Sequence, residues 1–136
     1  MKAREFLLSV QRAESELRLL SDRRRHYEDL IVAIGANTGK SVIGKPSGSS
    51  KVETAAVGLV WLAEQLSIKE QECVKLIHKA EDIINKLPQE KFREVLTRRY
   101  LCSESWKTIR DKMNYADEKS VFRCHGYALK EMQKFL

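Results

Sequence analysis

Cysteine is scarce in this chain. Cys73, Cys102 and Cys124 are odd in number and far apart, which argues against a disulfide framework and against a metal-ligand cluster. Each stands among apolar neighbours in a helical stretch, so all three are expected to be small core or near-core residues. No apolar run approaches the ~20 residues that a membrane span needs. The opening MKAREFLLSVQRAES turns polar too soon for a signal peptide. These absences predict a cytoplasmic protein without a membrane partner. The three histidines share no spacing that suggests a metal site or a proton relay: His26 lies in the run Arg23-Arg24-Arg25-His26, His78 on a long helix, and His125 on the inward side of the last helix. Carboxylates sit at ordinary helix-surface distances from lysines, as in Glu72 with Lys75 and Lys79 with Asp82. No catalytic residue, cofactor, metal or small-molecule substrate is expected, and the chain does not read as an enzyme.

A phosphate-binding loop is also missing, although one is mimicked. Gly35-Ala36-Asn37-Thr38-Gly39-Lys40-Ser41 has three residues between its glycines where the nucleotide-binding loop needs four, and no strand precedes it. The whole of residues 35–52, GANTGKSVIGKPSGSSKV, is rich in Gly, Ser and Lys. Such a composition buries too little apolar surface to order itself and predicts a flexible loop.

What the chain does have is helical period. Phe6, Val10, Ala13, Leu17, Leu20, Arg24, Tyr27, Ile31 and Ile34 alternate steps of four and three, as do Leu59, Ala63, Leu66, Glu70, Cys73, Ile77, Ala80, Ile84 and Leu87. This is the spacing of a coiled-coil seam. Each series holds one charge, Arg24 and Glu70. An antiparallel hairpin that pairs these two also pairs Ile31 with Ala63, Leu17 with Ile77 and Val10 with Ile84. The expectation is an Arg24–Glu70 register pair within a hairpin over residues 1–87, because a heptad slip would set each charge against apolar side chains.

The last third carries three shorter periods, each with its own boundary signal. Phe92, Val95, Leu96 and Tyr100 follow Pro88, which suits a first helical turn. Ser105 can cap a second helix with Trp106, Ile109 and Met113 on one face. Asn114 tolerates the left-handed backbone of a helix end, and Asp117 can cap a third helix. In that last helix, residues 117–134, Val121, Cys124, His125, Ala128, Leu129 and Met132 fall on one side. Lys119, Arg123, Gly126 and Lys130 fall on the other. The net charge of +6 is concentrated here: residues 1–34 and 35–87 contribute +1 each and residues 88–136 contribute +4. A short helix, a tight turn and a basic helix make a helix-turn-helix over residues 88–136. Lys119, Ser120, Phe122 and Arg123 are placed to read bases in a major groove, and Arg98, Arg99, Lys107, Lys112 and Lys130 to contact phosphates. Gly126 is costly inside a helix, and one use for a missing side chain is close backbone approach to a partner.

With those residues in view, the segment resembles region 4 of bacterial sigma factors. It resembles more closely the ArpU and RinA type transcriptional regulators encoded by phages of Gram-positive bacteria. Leu96, Arg99 and Tyr100 carry the likeness in the first helix, Ser105, Trp106, Ile109 and Met113 in the second, and Val121, Arg123, His125, Ala128 and Leu129 in the third. Arg110 departs from the pattern, standing where most such motifs have a small residue. Its long aliphatic stem lets it lie along the helix crossing with its head in water. The resemblance implies control of late phage genes by binding double-stranded DNA, with RNA polymerase as a candidate second partner. A palindromic site would further require a homodimer. The expected fold class is all-α, a long antiparallel helical hairpin followed by a three-helix helix-turn-helix. Two other functions fit the same pattern, an RNA polymerase-docking module and a small DNA-packaging subunit.

Overall fold

The computed structural model describes residues 2–38 and 47–136, with side chains described for 2–34 and 51–136. The described chain is all-helical, as the periods predict. Helix α1 spans Ala3–Thr38, α2 Ser47–Asn85, α3 Glu90–Leu96, α4 Trp106–Lys112 and α5 Glu118–Gln133. A π-helical turn, Thr97–Leu101, follows α3 directly. The two long helices extend into the Gly/Ser-rich stretch, so residues 35–38 and 47–52 are helical rather than loop. Adding a residue to an existing helix costs far less than nucleating one, so composition alone marks such ends poorly. Residues 39–46, with the near-miss Lys40 and Ser41, lie outside the described residues. Among the described residues no helix is long and apolar enough to cross a membrane.

The chain divides into two compact units, and not at the Leu87–Pro88 boundary between residues 1–87 and 88–136 that the sequence suggests. One unit combines Met1–Glu14 with Glu72–Leu136, and the other is Ser15–Gln71. The first holds the main core: Ala3, Phe6, Leu7 and Val10 of α1, Ala80, Ile83, Ile84 and Leu87 of the α2 end, and Phe92, Val95, Leu96, Tyr100, Ile109, Val121, Cys124, Ala128 and Met132. Leu7 and Ile83 explain the regrouping. Neither belongs to the seam read from the sequence, yet Leu7 is 0 % exposed and Ile83 is buried. The hairpin ends therefore bury apolar residues beyond the seam, against α3 and α5. Two hydrogen bonds tie α1 down in the same unit: Ala3 N–H donates to Gln133 Oε1 at 2.7 Å, and Gln11 Nε2 donates to the Arg99 carbonyl at 2.9 Å.

In the second unit α1 and α2 run antiparallel, but in a different register from the expected one. Lys69 Nζ pairs with Glu16, and the ring of Tyr27 lies over Gly58, where an added Cβ would stand 2.9 Å from Tyr27 Cε1. Arg24 instead pairs with Glu28 on its own helix at 3.4 Å, half of its side chain exposed, and Glu70 is exposed. The Arg24–Glu70 pair is thus absent, and an ion pair that does cross the hairpin joins a half-buried Lys69 to an exposed Glu16. Lys69 against Glu16 and Gly58 against Tyr27 each stand nine residues from the partner the expected pairing would give, so the hairpin has slid by more than a heptad and α2 has also turned. Its inward positions here are Ala55, Leu62, Leu66 and Lys69, while Ala63 turns outward. Burying Leu62 rather than Ala63 removes more apolar surface from water, worth on the order of 1–2 kcal/mol. That rotation takes Glu70 out of the interface and brings Lys69 in. On α1 the expected seam residues Leu17, Leu20, Tyr27, Ile31 and Ile34 are half-buried, and Arg24 alone of that series is exposed.

Candidate nucleic-acid interface

Local chemistry sets each boundary of the last three helices. The end of α2 is closed by Arg93, whose Nη1 donates to the Leu87 carbonyl at 2.6 Å. Gln89 rather than Pro88 is the N-cap of α3, which puts the proline one step before the cap instead of in the first turn. The widened turn Thr97–Leu101 ends with Cys102 N–H bonded to the Thr97 carbonyl at 2.9 Å. Cys102 is exposed, a correction to its expected near-core place, while Cys73 and Cys124 are buried. Ser103 has a left-handed backbone, φ 53°, and turns the chain into α4. Ser105 caps α4, its side chain accepting from Thr108 N–H at 3.2 Å. Asn114 takes φ 59° in the turn, and Asp117 caps α5 by accepting from Ser120 N–H at 2.9 Å. The bonds from the Ser120 N–H and hydroxyl hold the Asp117 carboxyl below the usual carboxylate range.

Helix α5 packs with Val121, Cys124, Ala128 and Met132 buried, against a core that includes Ile109 of α4. Arg110 follows Ile109 and directs its guanidinium to Asp111, with Nη2 at 3.0 Å from Oδ1. The helix crossing therefore accommodates it with its head at the surface. An aromatic cluster braces the flank of α5. Trp106 meets Phe122 edge-on at 5.1 Å and His125 edge-on at 4.8 Å, and the Arg99 guanidinium lies 4.2 Å over the Trp106 ring. Tyr100 Oη and His125 Nε2 are hydrogen-bonded at 2.7 Å. A neutral imidazole meets the tyrosine whichever partner supplies the proton. Burial, with Arg4 and Arg99 nearby, lowers the His125 pKa to about 4, and burial raises that of Tyr100. Both are neutral at pH 7, so Tyr100 and His125 brace α5 as uncharged groups, and the charge in the cluster comes from the Arg99 guanidinium.

The outward side of α5 presents Lys119, Arg123, Gly126 and Lys130, all exposed. None of these three cations has a carboxylate within 4 Å among the described residues, although Lys119 and Arg123 lie close enough to Asp117 to help lower its pKa. A Cβ built on Gly126 meets nothing within 4 Å, so the fold itself does not require a glycine there. Of the other residues expected to read bases, Phe122 is 45 % exposed with its ring leaning on Trp106. Ser120 is half-buried, and its hydroxyl donates to Asp117 Oδ1 at 2.9 Å.

The expected phosphate-contacting residues divide into two groups. Lys107 and Lys130 are exposed without an ion pair among the described residues. Arg98 is held by two carboxylates, Glu94 at 3.0 Å and Glu104 at 3.3 Å, and its pKa is raised chiefly by the bond to Glu94. Arg99 Nη1 donates to the Glu104 carbonyl at 3.0 Å, besides stacking on Trp106. Lys112 reaches Glu104 at 2.8 Å. Glu104 thus gathers three of the five candidates, and the bond from Lys112 depresses its own pKa most. These three residues hold the linker between the π-helical turn and α4. The carboxylate that neutralises two of them comes from an irregular segment whose direction no periodicity reveals.

Among the described residues no group of three His, Cys, Asp or Glu side chains could hold a metal ion. Comparison of the chain with protein-family models, with curated proteins and with solved structures gives no significant match.

Proposed function

We propose that this protein is a DNA-binding transcriptional regulator that lays α5 in the major groove of double-stranded DNA. The observation that carries the reading is the outward ridge of α5: three exposed cations with no carboxylate within 4 Å, Lys119, Arg123 and Lys130, surround Gly126, whose missing side chain no neighbour explains. A mid-helix glycine costs roughly 1 kcal/mol relative to alanine. Close approach of the helix backbone to an outside surface is a use for it, and clustered exposed cations suit an anionic one. In this reading Arg123 and Lys119 reach base edges, Phe122 offers an apolar surface to a thymine methyl, and Lys107 and Lys130 meet phosphates. Arg98, Arg99 and Lys112 act indirectly by fixing α4 behind the reading helix.

The narrower assignment, to phage or prophage late genes with RNA polymerase as a second partner, rests on the resemblance to ArpU and RinA regulators and to sigma region 4. Selection of bound fragments from the surrounding phage genome, at a stated salt concentration, tests both levels. Recovery of one recurring sequence upstream of late genes is the expected result. Recovery of fragments without a common sequence would overturn the assignment as a specific regulator, and no recovery at low salt would overturn DNA binding itself.

A further inference from the structure

A second basic surface lies beside the ridge, made by residues at the two ends of the chain. Lys2 and Arg4 flank Ala3 at the start of α1, Lys130 stands on the last turn of α5, and Lys134 is its C-cap. Together they rim a cleft whose apolar floor includes Ala3 and Leu129. The first residue of α1 is held in place. Ala3 is buried, its N–H is bonded to Gln133 Oε1, and Phe6 and Leu7 are buried in the core just beyond. Because Gln133 already occupies that first amide, the α1 terminus is not itself an anion site; the cleft is lined mainly by apolar surface, and the cationic side chains stand around its rim. Of the four, Lys134 has Glu131 as a partner at 3.0 Å. Lys2, Arg4 and Lys130 have no carboxylate partner among the described residues. Like charges gathered around one cleft repel each other, and a row of phosphates relieves that repulsion while releasing its own counterions. Lys130 belongs to both the ridge and the cleft rim, so the two surfaces are continuous.

We infer that this cleft holds the sugar-phosphate backbone of the same duplex whose groove α5 reads, which makes Lys2 and Arg4 part of the DNA interface. The inference rests on the DNA-binding reading, and its test separates the two. Full-length protein is titrated by fluorescence anisotropy with a random-sequence 20-base-pair duplex over a range of salt. The parent is compared with Lys2→Ala/Arg4→Ala and with the charge-keeping Lys2→Arg/Arg4→Lys. The alanine pair weakens binding about tenfold at low salt and makes the dependence of log K on log salt shallower by about two. Discrimination between preferred and scrambled duplexes stays as in the parent, and the charge-keeping pair matches the parent throughout. Both positions are exposed, and an unchanged thermal midpoint confirms that the variants fold. Equal salt slopes for parent and alanine pair would overturn the cleft and leave α5 as reader. A parent that binds no duplex would overturn both. Binding to phosphatidylserine vesicles that is lost in the alanine pair, with duplex binding unaffected, would assign the cleft to a membrane surface and overturn it as a DNA contact.

Discussion

At the scale of single residues, Gly126 makes the sharpest separation between what the fold needs and what a partner needs. Nothing in the protein lies where its Cβ would be, so Gly126→Ala should raise stability by about 1 kcal/mol, visible as a higher thermal midpoint. The same substitution should weaken duplex binding if the α5 backbone approaches DNA. Gain in stability without loss of affinity would show that the glycine serves no contact. Ser105 and Ile109 give the complementary case, residues whose value lies inside the fold. Ser105→Ala removes the α4 cap and should cost about 1 kcal/mol. Ile109→Ala opens a cavity at a fully buried position and should cost about 2–5 kcal/mol. Chemical denaturation measures both.

At the scale of elements, the hairpin register makes its own prediction. A double-mutant cycle between Glu16 and Lys69, a pair with side chains 57 % and 25 % exposed, should give a coupling of a few tenths to about 1 kcal/mol. The same cycle between Arg24 and Glu70 should give none. The α1 seam was legible in the sequence because its four-three series survives the apolar neighbours beside it, of which Leu19, Leu30 and Val32 turn out to be exposed and only Leu7 is buried as well. The α2 seam was not, since Leu62 and Ala63, Leu76 and Ile77, and Ile83 and Ile84 are neighbouring apolar pairs. Two seams one residue apart fit the same period, and side-chain volume decides between them. The α4 and α5 boundaries were legible because Ser105, Asn114 and Asp117 act within three or four residues of themselves. Glu104 acts through a left-handed Ser103 on residues before and after it, so its hold on Arg98 and Lys112 is visible only in three dimensions.

At the scale of the whole molecule, pH and charge are the accessible variables. Folded His125 takes a proton only at about 4, while an unfolded histidine takes one near 6.5. Between those values the unfolded chain binds more protons, so stability is full above about 6.5 and falls as the pH drops toward about 4. Allowing for partial solvent exposure, the loss is about 1–2 kcal/mol. His125→Gln should therefore show a flatter thermal midpoint across that window than the parent. The charge distribution points toward function: four of the six net positive charges fall in residues 88–136, the segment that carries the α5 ridge.

Whether the α5 ridge reads sequence is decided by a competition titration at ~100 mM salt. A selected duplex and its shuffled counterpart compete for the parent protein and for Arg123→Ala. The parent should prefer the selected duplex, and the variant should lose about 1–3 kcal/mol on it while binding the shuffled one nearly as before. A variant that discriminates between the two duplexes as well as the parent does would show that Arg123 on α5 does not read sequence.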